Sequence, residues 1–228
     1  MRNKFDLSAY LVIGPENTNG RPIARVIAEA VCAGFTFVQI RAKHTDAREI
    51  IDLTRAAADV IAAQEKSDAV TLVVNDRLDV VLAAREQGVK VDGVHVGQTD
   101  IPPDVCRKHL GADAIIGLSA RTSELLDYVS HCDTSCIDYF GAGPLHATPT
   151  KPEAGRTASG EIVTRSLEEL TQVHRISPVP VVVGGGVKAA DLPALKATGV
   201  EGFFVVSAVA GAMHPYAAAE ELVRIWHE

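Results

Sequence analysis

The sequence predicts an α/β protein that forms a single (β/α)8 barrel, or TIM barrel, over residues 1–228. Apolar, β-branched runs alternate with amphipathic stretches along the whole chain. Eight such alternations within 228 residues are close to the minimum that closes a barrel of this kind. No linker, block of like charges or low-complexity segment interrupts them, which favours one domain. An open flavodoxin-like sheet is the alternative, but eight repeated units favour closure.

The predicted strands share short apolar runs rich in Val, Ile and Phe. They are Tyr10–Ile13, Phe37–Arg41, Val70–Asn75, Gly93–Val96, Ile115–Ser119, Tyr139–Gly143, Val179–Gly184 and Gly202–Val206. The predicted helices share an apolar face at helical spacing. They are Ile23–Ala33, Ala47–Ala63, Leu78–Gln87, Glu124–Ser130, Leu167–Ile176, Leu192–Ala197 and a closing helix at Tyr216–Trp226.

Composition excludes several classes of partner. The net charge of −7 argues against nucleic acid and against an anionic membrane surface, because both require a basic face. No apolar run approaches the roughly 20 residues of a membrane span, and the N-terminal apolar stretch is too short for a signal peptide. The four cysteines form no CxxC pair, so we expect reduced thiols and a cytoplasmic protein. The motifs described below predict small-molecule substrates. The sequence is compatible with a homo-oligomer.

Two loops rich in small residues follow the seventh and eighth predicted strands, where barrels of this class often bind phosphate. The first contains Gly184-Gly185-Gly186, and the second begins a short turn at Val206-Ser207-Ala208. Glycines let the backbone approach an anion closely, and the N–H groups of the following turn complete the site. The two loops together predict a site for a substrate phosphate; the alternative is a tight turn without a ligand.

A second set of polar residues follows strands two, three and four. Period-two alternation places Gln39, Arg41 and Lys43 on one face, which suits an anion with several oxygens. Asp76 and Asp100 follow the next two strands, and two acids on neighbouring loops are a common way to hold Mg²⁺. Each acid alone is equally well explained as a helix N-cap.

Strand four contains His95, which we interpret as a hydrogen-bonded residue of the barrel interior rather than a catalytic base. Strand five ends at Ser119. The longest irregular segment, Pro144–Thr164, carries Thr148-Pro149-Thr150-Lys151-Pro152. Hydroxyls and an ammonium on such a loop can close over a phosphorylated ligand. A plain proline-rich turn is the alternative.

Six motifs occur in order and at consistent spacing, and together they resemble the thiamine-phosphate synthase family. They are Gln39-Ile40-Arg41-Ala42-Lys43, Val74-Asn75-Asp76, Gly93-Val94-His95-Val96-Gly97-Gln98-x-Asp100, Gly117-x-Ser119, Gly143-Pro144 with Thr148-Pro149-Thr150-Lys151-Pro152, and Gly185-Gly186-Val187. Each motif is weak alone, but six in order are specific. The resemblance covers the chain from about Tyr10 to the last helix.

The resemblance implies an enzyme that joins hydroxymethylpyrimidine diphosphate to a thiazole phosphate, with release of pyrophosphate. Its implied ligands of the pyrimidine diphosphate are Gln39, Arg41, Lys43, Asn75, Ser119 and Lys151. Its implied ligands of the thiazole phosphate are Thr148, Pro149, Thr150, Gly186, Val206 and Ser207. Asp76 and Asp100 would hold Mg²⁺, the one implied cofactor. No nucleophilic side chain is required, and Lys151 and Ser119 are the best candidates for catalytic contacts that strengthen as pyrophosphate departs.

The chain departs from the family pattern at two places. Ala42 stands where an acid is expected, which puts the orientation of Arg41 or Lys43 in doubt, and the segment Gly14–Gly20 is atypical. A thiazole tautomerase is the nearest rival, but it should carry a histidine where this chain has Pro144; His146 lies two residues on. A silent phosphate-binding barrel and a sugar-phosphate isomerase are further alternatives.

Overall fold

Eight parallel strands form the barrel that the sequence predicts. The computed structural model describes residues 5–120, 124–148 and 162–228. Each strand pairs with the next, and β8 pairs with β1, so the sheet is closed and the open-sheet alternative is wrong. The strands are β1 Ala9–Ile13, β2 Phe37–Ile40, β3 Thr71–Asn75, β4 Gly93–Val96, β5 Ile115–Ser119, β6 Tyr139–Ala142, β7 Val181–Val183 and β8 Gly202–Val205.

Helices follow the strands and cover the outside of the barrel. They are α1 Ile23–Cys32, α2 Ala47–Ala62, α3 Leu78–Glu86, α4 Pro103–Leu110, α5 Leu125–His131, α6 Leu167–Ile176, α7 Leu192–Ala197, α8 Ser207–Ala210 and α9 Pro215–His227. No helix within the described ranges is long and apolar enough to cross a bilayer.

The sequence interpretation was wrong at several boundaries. It omitted α4, because only Cys106 and Leu110 of that short helix are buried and its other residues are mostly polar or charged. It extended β2, β6, β7 and β8 by a residue or more at their carboxyl ends, where the chain already leaves the sheet. The turn expected at Val206-Ser207-Ala208 is the one-turn helix α8.

Two apolar layers stabilise the barrel, one on each side of the sheet. The outer layer contains alternate strand residues such as Leu11, Ile40 and Val74 together with the inner faces of the helices. The inner layer is unusually aromatic, since Tyr10, Phe37 and Tyr139 pack together at the centre of the barrel. Polar-tipped aromatic rings therefore form the floor beneath the carboxyl ends of the strands, where a barrel presents its active site.

Candidate active site

A cavity of about 490 Å³ opens at the carboxyl ends of the strands. Its floor contains Tyr10 and His95, and its walls come from loops on opposite sides of the barrel. Such a volume is typical of a site for small organic ligands. The predicted residues that line it are Gln39, Arg41, Asn75, Ser119, Thr148, Gly186, Val206 and Ser207.

One wall of the cavity is built from backbone and small side chains after β7 and β8. Gly185 and Gly186 have φ angles of +81° and +74°, in the left-handed region that favours glycine. The carbonyl oxygens of Gly184 and Gly185 accept hydrogen bonds from the N–H groups of Leu145 and His146, which fixes the loop. This wall lacks acidic side chains among its described lining residues, so an anion can approach the backbone there without repulsion.

The opposite wall carries charge, beginning with the end of β2. Gln39 and Arg41 both line the cavity, while Ile40 between them packs in the outer layer, as the alternation predicts. Lys43 lies 3.8 Å from the Asp76 carboxylate. Ala42 is buried in the outer layer, so its side chain faces away from the cavity. Asp76, an acid at another position, is within ion-pair distance of Lys43.

Asp76 and Asp100 meet behind this wall, next to Lys43, and none of the three is among the residues that line the cavity itself. Asp76 has a φ of +62°, and its N–H donates to the carbonyl oxygen of His95 over 2.8 Å. The Asp100 carboxylate accepts the N–H of Gly97 over 2.7 Å. The alternative that both acids are helix caps is wrong, because α3 follows Arg77 and α4 follows Pro102. A left-handed non-glycine residue at a cavity is strain of the kind found at functional sites.

The two carboxylates influence each other strongly. Burial, and then the negative charge of Asp100, raise the pKa of Asp76 to about 6, while Lys43 and Asn75 act in the opposite direction. Two acids held this close favour a divalent cation, which replaces their repulsion by attraction. Within the described ranges no three His, Cys, Asp or Glu residues form a metal-binding group. A pair is nevertheless sufficient for Mg²⁺, which keeps several waters.

A line of hydrogen-bonded side chains crosses the floor between the walls, and we call it the interior polar chain. Its members are, in order, Ser119, His95, Tyr139, Tyr10, Gln39 and Asn75. Successive donor and acceptor atoms lie 2.8–2.9 Å apart. The prediction that His95 is a hydrogen-bonded residue of the barrel interior is confirmed. The two tyrosines were missed, although alternation from Tyr10 inward was a signal that could have found them.

Burial and close packing hold the interior polar chain in place. Tyr10 and Tyr139 are almost completely buried, and burial raises the pKa of both hydroxyl groups far above the ordinary value, so both stay protonated. Gly117 lies beside His95 and Tyr139 in the sheet, and a Cβ there would overlap the Tyr139 ring and His95 Nδ1. The glycine of the Gly117-x-Ser119 motif thus makes room for the hydrogen bond between those two side chains.

Three predicted ligands, Pro149, Thr150 and Lys151, lie outside the described residues. The atypical segment after β1 forms a short 3-10 helix at Pro15–Asn17. Beyond it, Arg21 donates to the carbonyl oxygen of Ala210 over 2.9 Å and so braces α8 at the rim of the cavity. His146 lies 3.0 Å from Asp191 and is largely exposed.

Comparisons with known proteins identify the relatives of this chain. The family model described as thiamine monophosphate synthase matches residues 9–209. The chain is 40% identical to a thiamine-phosphate synthase of Corynebacterium efficiens over 98% of this chain and 96% of that protein. It is 37% identical to one of Vibrio campbellii over 88% and 89% of the two chains.

Among solved structures, the chain is similar to thiamine phosphate pyrophosphorylase from Pyrococcus furiosus. The TM-score is 0.78 at 27% identity, over 97% of this chain and 96% of that one. A family model that matches most of the chain, together with relatives of near-equal length, identifies the family. The chain belongs to the thiamine monophosphate synthase family.

Proposed function

We propose that this chain joins hydroxymethylpyrimidine diphosphate to a thiazole phosphate, forming thiamine monophosphate and releasing pyrophosphate in a Mg²⁺-dependent reaction. The observation that carries the proposal is a single cavity with two unlike anion-binding walls, in a member of this family. A one-anion barrel requires only the glycine-rich wall. The charged wall, with Arg41, Lys43 and the nearby acid pair, is explained if the enzyme must also bind a second, more highly charged anion that departs during the reaction.

The glycine-rich wall is the proposed site of the thiazole phosphate. Gly186, Val206 and Ser207 line the cavity there, and Thr148 approaches it from the loop after β6. A monophosphate ester can accept backbone N–H groups and hydroxyl protons at such a wall without a metal ion. Pro149 and Thr150 belong to the same proposed contact set.

The charged wall is the proposed site of the pyrimidine diphosphate. Arg41 and Lys43 supply positive charge, Asn75 lies beside them at the end of β3, and Ser119 faces them from the end of β5 across the floor. Gln39 lies deeper, at 4% exposure, where it faces the ring rather than the phosphates. Lys151 completes the proposed set.

Asp76 and Asp100 fit a magnesium site, because the two carboxylates lie close enough to repel each other and a divalent cation between them would relieve that repulsion. Bound there, Mg²⁺ would neutralise part of the diphosphate charge. The two acids contribute by fixing where that charge is compensated, since the backbone around each is held by hydrogen bonds to β4 and its loop.

The reaction requires no protein nucleophile. The bond between the pyrimidine CH₂ and the diphosphate oxygen breaks with its electron pair on the departing pyrophosphate, and the thiazole nitrogen supplies the pair for the new C–N bond. The protein holds the two reacting atoms in line and stabilises the growing charge with Arg41 and Lys43. Ser119 and Lys151 are the proposed contacts that strengthen during departure.

The rival functions have less support. The relatives named above are called thiamine-phosphate synthases, which gives a thiazole tautomerase no support. His146 is turned to Asp191 at the rim instead of the floor. A silent barrel would not require an acid pair in which one member, Asp76, has a left-handed backbone. A cytoplasmic location is part of the proposal, and the four cysteines are free thiols, as expected in a reducing compartment.

The test is a direct assay of product. Purified protein, hydroxymethylpyrimidine diphosphate, the thiazole phosphate and Mg²⁺ are mixed, and thiamine monophosphate is measured by chromatography. We expect product that disappears when EDTA is added and returns with excess Mg²⁺. Absence of product would contradict the proposed reaction, and product unaffected by EDTA would contradict its metal dependence.

A further inference from the structure

Three buried or half-buried titratable side chains at the floor of the cavity have no role in the proposed reaction. Tyr10, Tyr139 and His95 belong to the floor of the cavity and to neither of the two phosphate walls. They nevertheless join Ser119 on one side of the cavity to Gln39 on the other through unbroken hydrogen bonds. The direction of those hydrogen bonds decides what the cavity presents to a ligand.

The direction is fixed at the end of the interior polar chain nearest the acid pair. Asn75 Oδ1 accepts the hydrogen bond from Gln39, which leaves the Asn75 amide nitrogen to donate to the Asp76 carboxylate. The Asn75 amide nitrogen is therefore turned to Asp76, and its oxygen is turned to Gln39. Gln39 Nε2 donates to that oxygen over 2.8 Å, so Gln39 Oε1 is the atom that faces Tyr10.

The number of protons on each group determines the donor and the acceptor in the remaining hydrogen bonds of the interior polar chain. The single Tyr10 proton goes to Gln39 Oε1, so the 2.9 Å contact between the two phenols requires Tyr139 to donate to Tyr10. The oxygen of Tyr139 then accepts from His95 Nδ1–H. In its neutral form, an imidazole that donates from Nδ1 has its lone pair on Nε2, and that lone pair accepts the hydroxyl proton of Ser119.

This order leaves a defined pattern facing the cavity. Gln39 retains one acceptor lone pair and one N–H, side by side. An exocyclic amino group beside a ring nitrogen presents the complementary pair, as adenine does to glutamine in DNA recognition. Ser119 turns lone pairs to the cavity, so a contact from its hydroxyl to the departing diphosphate requires that the hydroxyl first leave His95.

We propose that Tyr10, Tyr139 and His95 are positioning residues that make the cavity selective for an amino-substituted pyrimidine over its hydroxyl analogue. The inference rests on the proposed function and names the groups behind its ring specificity. The hydroxyl analogue in its oxo form places an oxygen opposite Gln39 Oε1 and an N–H opposite Gln39 Nε2. Both contacts are then repulsive and both amide groups stay unpaired, which a buried site rejects strongly.

The experiment compares kcat/KM for the amino and hydroxyl pyrimidine diphosphates in four variants. Tyr10→Phe removes the donor to Gln39 but keeps the ring that packs on Phe37. His95→Leu and His95→Asn are nearly equal in size, but only Asn carries an N–H near the Nδ1 position. Thr54→Val removes a buried hydroxyl on α2, which donates to Ile50 far from the cavity, and controls for lost stability.

We expect Tyr10→Phe to lower the preference for the amino substrate roughly tenfold, and His95→Leu about threefold because His95 is three hydrogen bonds away from Gln39. His95→Asn should retain the preference, and Thr54→Val should retain it despite a lower Tm. An unchanged preference in Tyr10→Phe, or an equal loss in the Asn and Leu variants, would overturn the inference. Tyr139→Phe replaces Tyr10→Phe if circular dichroism reports a misfolded protein.

Failure of the proposed function has a different signature. A wild-type protein that forms no product contradicts the synthase, whereas an active wild type with unresponsive variants contradicts only the positioning role. Calorimetric binding of the two pyrimidine diphosphates gives the same preference without turnover.

Discussion

The two walls of the cavity differ in the physical means by which each is proposed to bind an anion. The wall after β7 and β8 uses backbone in conformations open to glycine, at Gly185 and Gly186, and a one-turn helix. The wall after β2, β3 and β4 uses charged side chains and an acid whose pKa is raised to about 6. The first wall suits a phosphate group of any substrate, and many barrels of this class bind phosphate in this way. The second matches a leaving diphosphate, and it is the wall that separates a synthase from other phosphate-binding barrels.

The largest effect should come from the charged wall. Asp76→Ala or Asp100→Ala should lower kcat roughly 100- to 1,000-fold, because charge develops on the diphosphate in the transition state. Binding of the thiazole phosphate, measured by calorimetry, should change less than about threefold. Asp79→Ala is the control, since that acid lies on α3 and pairs with Arg77. Equal losses of turnover and of thiazole-phosphate binding would mean that the acids are structural.

A substitution in the glycine-rich wall should weaken binding of the thiazole phosphate and spare binding of the pyrimidine diphosphate. Gly186→Ala places a Cβ at a φ of +74° and 2.9 Å from the Cβ of His146, so the loop must shift. We expect KM for the thiazole phosphate to rise roughly 10- to 100-fold, and affinity for the pyrimidine diphosphate to stay close to wild type.

A matched control separates backbone strain from lost binding. Gly88 has a φ of +76°, and a Cβ added there would meet nothing within 4 Å, so Gly88→Ala imposes the same strain away from the cavity. It should lower stability by roughly 1–2 kcal/mol in thermal unfolding without a change in KM. If both alanine variants raise KM equally, the Gly186 effect is global and the wall has no special role.

The smallest effect is a pH dependence confined to the charged wall. The pKa of Asp76, raised to about 6 by burial and then by Asp100, means that this acid is protonated below pH 6 in the metal-free protein. Because Mg²⁺ binds the ionised form, its apparent affinity should fall by up to about tenfold per pH unit below pH 6 and level off above pH 7. Calorimetry between pH 5 and 8 measures it.

The variant Asp100→Asn tests whether the charge of Asp100 causes this pH dependence of Mg²⁺ binding. Removal of the neighbouring charge should return the pKa of Asp76 towards its ordinary range and move the fall in Mg²⁺ affinity to lower pH. Magnesium affinity that is flat between pH 5 and 7 in the wild-type protein would contradict the acid pair as the metal site.

The barrel and one wall were predictable because their signals are local. Alternating apolar runs indicated the strands, and Gly185-Gly186 after β7 indicated a loop whose φ angles only glycine adopts readily. The sequence predicted that Asp76 and Asp100 lie on neighbouring loops, but it did not predict that their carboxylates meet. The left-handed conformation of Asp76 leaves no local signal, because it is imposed by the hydrogen bond to β4.

The floor of the cavity could not be derived from any single strand. The interior polar chain depends on register, which places His95 opposite Gly117 and Gly117 opposite Tyr139. Sequence alone indicates the inward face of each strand but not the height at which two inward residues meet. Helix α4 was missed for a simpler reason, since its apolar face is only two residues wide.

The most direct test of two unlike walls is equilibrium binding of each substrate alone, with Mg²⁺ and with EDTA. We predict that EDTA weakens binding of the pyrimidine diphosphate at least about tenfold and leaves binding of the thiazole phosphate unchanged. An equal response of the two ligands to EDTA, whether both weaken or neither does, would contradict the two-wall assignment.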